Sequence, residues 1–106
     1  MAASNIFENI PAQLKQERFD TLVQNEHVTI ERIVSEGHTS PESGWYEQNR
    51  NEWVIVLQGA ATIVFENGDQ TRLQAGDHLN IPALCKHRVL WTDPGQKTVW
   101  LAVHYD

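Results

Sequence analysis

The feature that most constrains this chain is a succession of short β-type runs between residues 27 and 105. The runs are rich in Val, Ile, Trp and Thr, and they are separated at close intervals by Gly, Pro, Asn and Asp. They cover residues 27–34, 52–58, 61–66, 70–73, 78–81, 87–91 and 98–105. Short strands in so small a chain are stabilised best when closure removes exposed sheet edges. The pattern therefore predicts an all-β barrel or two-sheet jelly roll.

Two turn sequences predict which of these runs are neighbours. The Asn67-Gly68 pair lies between the third and fourth runs, and both residues accept a positive φ, which favours a tight hairpin. The Asp93-Pro94-Gly95 sequence lies between the last two runs. Proline presets the first central residue of a turn, and glycine accepts the positive φ of the next. We therefore expect an antiparallel pair of runs around each turn.

The residues before this pattern form a preamble. Apolar residues recur among charged ones between residues 11 and 23, which is compatible with one short helix or turn packed on the barrel. A chain of 106 residues with 41% apolar residues has room for one domain with one hydrophobic core. We therefore expect a preamble over residues 1–26, helical or extended, and a barrel over residues 27–106.

The charge balance limits the partners of the protein. The formal net charge is -6 and no Lys/Arg cluster occurs, which argues against nucleic acid or an anionic membrane as a partner. No apolar run is long enough to span a bilayer, and no secretory signal is recognisable. The single cysteine, Cys85, cannot form an internal disulfide, which fits a reducing compartment. We expect a cytoplasmic location and a small molecule or another protein as the partner.

Two segments resemble the sequence motifs of the cupins. Residues 44–59 resemble the first motif, G-x5-H-x-H-x3,4-E-x6-G, with Glu52 and Gly59 at the spacing of its glutamate and closing glycine. Residues 76–87 resemble the second motif, G-x5-P-x-G-x2-H-x3-N, with Pro82 and His87 in register with the opening glycine. The motifs occur in order, with a hairpin of suitable size between them. The resemblance implies a cupin, or double-stranded β-helix, fold whose barrel lumen holds the functional site.

The first motif departs from the cupin pattern at its two histidines. In cupins these histidines, the glutamate and the histidine of the second motif hold a divalent metal. With the shorter spacing before the glutamate, their positions are occupied here by Tyr46 and Gln48, and with the longer spacing by Trp45 and Glu47. The usual site of three histidines and one glutamate therefore cannot be assembled.

The remaining polar residues still suggest a ligand set for a divalent transition metal (Zn, Ni, Mn or Fe). Glu52 lies in an apolar run, where a carboxylate needs a cation or hydrogen-bond donors to offset its desolvation. His87 offers an imidazole nitrogen, and Gln48 offers a weaker amide oxygen. If the face that carries His104 is the lumen, Glu52, His87 and His104 give a set resembling non-haem iron sites. The candidate metal ligands are therefore Glu52, His87, Gln48 and His104.

Each candidate also has an ordinary structural interpretation. Glu52 can lie at the strand mouth, solvated or paired with an arginine, His87 can be a hydrogen-bonded lining residue, and His104 can face solvent. A small-molecule pocket would take its wall from a second set of residues. The candidates are Tyr46, Trp45, Trp91 and His78. Tyr46 fits a hydrogen-bonding wall better than a phenolate ligand, because its unperturbed pKa is about 10. The tryptophans can equally be core or dimer contacts, and His78 can equally face solvent.

Two classes of function follow from these alternatives. One is a metal-dependent enzyme of the dioxygenase, isomerase or lyase type, which the retained Glu52 and His87 favour. The other is a non-catalytic binding or sensor module for a small ligand, which the missing histidine pair favours; the fold alone does not choose between them. Residues 53–57 are apolar on both strand faces, so we also expect a homodimer that packs sheet against sheet, as the cupin resemblance implies.

Overall fold

The computed structural model describes all 106 residues and contains eight β-strands and no helix. The strands are β1 (Arg18–Gln24), β2 (Val28–Ser35), β3 (Asn51–Gln58), β4 (Ala60–Phe65), β5 (Gln70–Gln74), β6 (His78–Ile81), β7 (His87–Thr92) and β8 (Thr98–Tyr105). They form one sheet in the order β1-β2-β8-β3-β6 and a second in the order β5-β4-β7. The predicted all-β jelly roll is confirmed. No segment forms a helix of the length and apolarity needed to cross a membrane.

The hydrophobic core lies between the two sheets, because alternate residues of the strands point inward. It comprises the buried residues Ile33, Val54, Val56, Ala61, Ile63, Leu73, Ile81, Trp100 and Ala102. Full burial of a Val, Leu or Ile side chain contributes about 1.5–3 kcal/mol relative to exposure. This core fixes the register of β3 and β8, which carry several of the polar residues of the lumen.

One of the two predicted strand pairings is confirmed and the other is wrong. The strands on either side of Asn67-Gly68, β4 and β5, pair antiparallel as expected. The strands on either side of Asp93-Pro94-Gly95 do not pair with each other, since β7 pairs with β4 and β8 pairs with β2 and β3. A turn sequence specifies where the chain reverses, and here the reversal carries it from one sheet to the other. The hydrogen-bonded partner is then set by the sheet that the chain enters.

The expected short helix or turn between residues 11 and 23 is also not seen. Residues 18–24 form β1, an edge strand that pairs antiparallel with β2. Without β1 the outer edge of β2 would present unpaired N–H and C=O groups, and the antiparallel ladder satisfies them. Residues 18–24 are therefore an integral strand of the larger sheet.

Residues 1–17, which we call the N-terminal arm, are held on the barrel by side-chain hydrogen bonds. The guanidinium of Arg32, a buried residue of β2, donates from Nη1 to the carbonyl oxygens of Ile6 (2.9 Å) and Glu8 (2.6 Å). Its Nη2 lies 2.8 Å from Oδ2 of Asp20 in β1. One arginine therefore joins the arm, the edge strand and the rest of the sheet.

Candidate functional site

A cavity of about 150 Å³ lies between the sheets and is lined by 14 residues. Eight of them are hydrophobic. The other six are Glu17, Glu31, Gln48, Glu52, His87 and His104. No lysine or arginine lines the cavity, so its charged groups are three carboxyl groups and two imidazoles. All four candidate metal ligands lie in this lining, together with Tyr46.

His87 and Glu52 form a buried pair on opposite sides of the lumen, from β7 and β3. The Nδ1 atom of His87 lies 2.9 Å from the carbonyl oxygen of Cys85. Because a carbonyl oxygen only accepts, Nδ1 carries a hydrogen and donates it. The Nε2 atom lies 3.4 Å from Oε1 of Glu52, and the two side chains are 8% and 13% exposed. The imidazole ring is therefore fixed in orientation, with Nε2 directed at the carboxylate.

The electrostatics of this pair favour a charged imidazole. Burial of His87 disfavours the imidazolium, but the hydrogen bonds to Glu52 and to the Cys85 carbonyl outweigh it, and the pKa of His87 is raised. Gln48 Nε2 donates to the same carboxylate oxygen of Glu52 at 3.3 Å. The carboxylate thus faces two donors, which offset the cost of burying its charge in apolar surroundings.

The segment before β3 is held against His87 by backbone hydrogen bonds. The N–H of Tyr46 donates to the carbonyl oxygen of His87 at 2.8 Å, and the N–H of His87 donates to the carbonyl oxygen of Tyr46 at 3.1 Å. The Tyr46 ring centroid lies 6.1 Å from that of His87. This isolated bridge brings the altered first motif beside the second one, as the cupin resemblance implies.

A second carboxyl-imidazole pair lines the same cavity. Nε2 of His104, on β8, lies 3.0 Å from Oε1 of Glu31 on β2. His104 is also the register partner of Glu52 across β3 and β8, so its face of β8 is the lumen face. The hydrogen bond with Glu31 outweighs desolvation by burial, and the pKa of His104 is raised.

The Glu31–His104 pair predicts a loss of stability as the pH rises. Because the pKa of His104 is raised in the fold, the protonated ring stabilises the protein fully below its ordinary pKa of 6.5. That contribution is lost as the pH rises through the folded-state pKa. Urea unfolding between about pH 5.5 and 8.5 should show a falling free energy of unfolding, with a smaller fall in Glu31→Gln. His78→Gln, which removes an exposed ring that lies outside the cavity, should keep the wild-type slope, and equal slopes in wild type and Glu31→Gln would contradict the prediction.

The donor atoms of the lumen do not fit a divalent transition metal. Glu52 and His87 face each other without a third metal-ligating side chain, and Gln48 turns its amide nitrogen to Glu52. His104 is paired with Glu31. The structure contains no group of three or more His, Cys, Asp or Glu side chains arranged to hold a metal ion. Protein sites for these metals generally use three or four such donors.

Three of the predicted wall residues do not line the cavity. Trp45 is exposed, and the guanidinium of Arg88 stacks on its ring at 4.9 Å. Trp91 is covered in the same way by Arg72 at 4.9 Å. His78 is exposed and lies beside a tryptophan ring of β3. Of the four candidates, only Tyr46 borders the lumen.

Among the lining residues that sequence reasoning did not name as site candidates are Glu17, Phe19 and Glu31. Glu31 could have been found, since strand alternation places it on the same face as the core residue Ile33. Phe19 lies opposite Ile33 in β1 and β2, but no strand was predicted there. Glu17 lies at the end of the N-terminal arm, where no periodic pattern points to the lumen.

Comparisons with known proteins agree with this geometry. The sequence model of the cupin domain family matches residues 32–104. The structure is similar to that of a protein from Ralstonia eutropha JMP134, provisionally named a mannose-6-phosphate isomerase, at 42% sequence identity and a TM-score of 0.95. The similarity covers 100% of this chain and 99% of that one. A search of curated proteins gives no significant match.

More distant structures share the fold. A cupin superfamily protein from Desulfitobacterium hafniense has a TM-score of 0.74 at 23% identity, covering 91% of this chain and 83% of that one. An RmlC-like cupin with a double-stranded β-helix fold from Methanocaldococcus jannaschii has a TM-score of 0.70 at 21% identity, covering 91% and 85%. The chain resembles both cupin motifs, folds as a two-sheet barrel and matches the family model over residues 32–104. It therefore belongs to the cupin family.

Proposed function

We propose that this cupin binds a small polar molecule in its lumen, and that His87 and Glu52 hold the polar end of that molecule. The observation that carries the proposal is the buried His87–Glu52 pair, whose atoms lie 3.4 Å apart in a cavity otherwise lined mostly by hydrophobic residues. A largely apolar pocket with a few convergent polar groups is the usual form of a small-molecule site. The volume of about 150 Å³ limits the enclosed part of the ligand to a small group.

The pair is suited to proton exchange with the bound molecule. The Cys85 carbonyl fixes the hydrogen of His87 on Nδ1, so Nε2 is the atom that gains or loses a proton. Glu52 stabilises the protonated ring, as the carboxylate of a general acid–base pair does. The ligand therefore has hydroxyl, carbonyl or amine groups that can hydrogen-bond to this pair.

The charge of the lumen disfavours phosphorylated ligands. The name of the Ralstonia protein describes an enzyme that acts on mannose 6-phosphate. In the present chain the cavity lining has three glutamates and no lysine or arginine. A phosphate dianion in this cavity would face the field of three carboxyl groups, and both imidazoles of the lining are already paired with glutamates. A neutral or cationic polar molecule fits the lining better than a sugar phosphate.

Calorimetric titration with D-mannose and D-mannose 6-phosphate tests this proposal. We expect the unphosphorylated sugar to bind more tightly than the phosphate. His87→Ala should weaken binding of the sugar by about 10-fold or more, the usual effect of losing a hydrogen bond to a charged group. His78→Ala is the matched control, because it removes an exposed histidine outside the cavity. Equal binding by wild type and His87→Ala would refute the site.

The same titration with Zn²⁺, Ni²⁺, Mn²⁺ and Fe²⁺ examines the metal-dependent alternative. The donor set of Glu52, His87 and Gln48 predicts weaker binding than a three-histidine cupin site shows, since an amide replaces a good nitrogen donor. Stoichiometric binding at micromolar metal, lost in His87→Ala, would replace the metal-free proposal with a metal-dependent one.

We also propose that a second copy of the chain covers the outer face of the larger sheet. Trp53, Ile55, Leu101 and Val103 alternate with the lumen-facing residues of β3 and β8 and are only partly buried. Contiguous apolar surface of this kind marks association sites. Sedimentation at micromolar concentration should give about twice the mass of 12.1 kDa.

Two variants refine the dimer prediction. Val103→Lys should shift the protein toward the monomer, because it places a charge in the proposed interface. Leu90→Lys, on the exposed surface of the smaller sheet, should remain dimeric. A wild-type protein that sediments as a monomer throughout this concentration range would refute the dimer.

Composition and the free cysteine support the proposed partners and location of the protein. The net charge of -6 favours a small molecule and a second copy over nucleic acid or an anionic membrane as partners. Cys85 is free and only partly exposed, as in proteins of a reducing compartment. We therefore propose that the protein acts in the cytoplasm.

A further inference from the structure

Four polar side chains form one band at the same level of the lumen. His104 and Glu52 are register partners on β8 and β3, and adjacent strands of a sheet lie about 4.8 Å apart. Glu31 reaches His104 at 3.0 Å from β2, which lies on the other side of β8. His87 meets Glu52 at 3.4 Å from the opposite sheet. The two carboxyl-imidazole pairs are therefore neighbours, and one small molecule can contact both.

The His104 ring lies between two carboxylates and is only partly used by the fold. The hydrogen bond with Glu31 is the largest influence on the pKa of His104, and the charge of Glu52 raises this pKa further against the effect of burial. The Nδ1 atom of His104 is buried and has no hydrogen-bond partner in the protein. Buried polar atoms without a partner are uncommon in folded proteins. Packing of the barrel alone therefore does not account for this ring.

Each carboxylate of the band has one oxygen that the protein does not use. Oε1 of Glu52 accepts from Gln48 and faces His87, and Oε1 of Glu31 pairs with His104. No protein group donates a hydrogen bond to Oε2 of Glu31 or of Glu52, and neither Oε2 is sealed in the interior. Both side chains line the cavity. The two Oε2 atoms are therefore acceptors that await donors from a bound molecule.

Two hydroxyl groups are the ligand feature that fits these acceptors. A hydroxyl donates one hydrogen and also accepts through its oxygen. It can therefore donate to a carboxylate oxygen while it accepts from the neighbouring imidazole, and hydrogen bonds to charged groups of this kind are the stronger ones. A molecule with a single hydroxyl would leave one of the two pairs unmet. The hydrophobic part of the lining suits the carbon skeleton of the ligand.

We propose that the ligand of the lumen is a neutral molecule with at least two hydroxyl groups, of which one meets His87 and Glu52 and another meets His104 and Glu31. This inference rests on the proposed function, which assigns only the first of these contacts. It makes Glu31 and His104 specificity-determining residues, which favour a polyol or a sugar over a molecule with a single hydroxyl.

Calorimetric titration with cyclohexanol, cis-cyclohexane-1,2-diol and cis-cyclohexane-1,3-diol tests the assignment, because the three probes share one ring and differ in the second hydroxyl. In the wild type the tighter-binding diol should bind about 10-fold or more tightly than cyclohexanol. Glu31→Met removes the carboxylate at similar volume, and it should abolish this gain. Glu66→Met makes the same change at an exposed carboxylate outside the cavity and should retain the gain.

The outcomes separate this inference from the proposed function. If the three probes bind the wild type equally and their binding depends on His87, the second contact is wrong and the proposed function stands. A gain that persists in Glu31→Met, including one that persists while all three probes bind more weakly, overturns the role of Glu31. If neither these probes nor D-mannose binds at about 10 mM, where a site with a Kd of about 1 mM would be about nine-tenths full, both proposals fail. The wild-type comparison needs no variant, so it decides the need for a second hydroxyl even if Glu31→Met does not fold.

Discussion

Replacing Gly59 with alanine should lower the free energy of unfolding by about 3 kcal/mol or more, the largest effect expected of any single methyl group in this chain. Gly59 joins β3 to β4 with φ at +90°, where an L side chain is strained. An added Cβ would lie 2.7 Å from Cα and 2.9 Å from Cβ of Thr98. Backbone atoms of β8 cannot move away without disturbing the sheet, so strain and overlap act together. Urea unfolding monitored by tryptophan fluorescence measures the change.

Gly68→Ala is the matched control for this substitution. Gly68 has almost the same φ, +94°, but an added Cβ would have nothing within 4 Å. It should therefore show only the backbone strain, about 1 kcal/mol. If the two variants lose the same stability, the close approach to Thr98 does not constrain the fold.

Arg32→Ala should cost about 3–5 kcal/mol and should release the N-terminal arm. The substitution removes two hydrogen bonds to arm carbonyls and leaves Asp20 without its buried partner. Although burial opposes it, the hydrogen bonds from Arg32 and Arg18 lower the pKa of Asp20, so this carboxylate stays charged and needs the partner. Limited trypsin digestion should cut after Lys15, in the arm, much faster than in the wild type.

Arg18→Ala provides the comparison on the same carboxylate. Arg18 also lies 3.1 Å from Asp20, but its side chain is 42% exposed and makes no bond to the arm. Exposed ion pairs contribute about 0–1 kcal/mol, so the loss should be small and the arm should stay protected. Rapid cleavage after Lys15 in wild type and Arg32→Ala alike would show that Arg32 does not hold the arm.

The parts of this protein that the sequence predicts are those in which local chemistry dictates the structure. Asn67-Gly68 predicted its hairpin because few backbone conformations suit that pair. Spacing placed Glu52 and His87 in one lumen because the motifs fix their strand positions. Asp93-Pro94-Gly95 predicted the wrong strand pairing, because a turn does not specify which sheet the following strand enters.

The arm escaped prediction for a different reason. Glu17 reaches the lumen only because β1 pairs with the edge of β2. That pairing is a hairpin closed by residues 25–27, but no alternating pattern in residues 11–23 marks β1 as a strand. Likewise, the sequence presents His104 as one more strand residue, and only the register with Glu52 places it inside.

The crossing of the chain at Thr98 has a consequence for how a ligand moves. Thr98 is fully buried, and its hydroxyl bonds with both the N–H and the carbonyl of Ala60 on the opposite sheet. The chain passes from one sheet to the other beside it, at Gly59 and at residues 93–97, so the two sheets are joined at this end of the barrel. We therefore expect a ligand to enter and leave the lumen at the opposite end of the barrel.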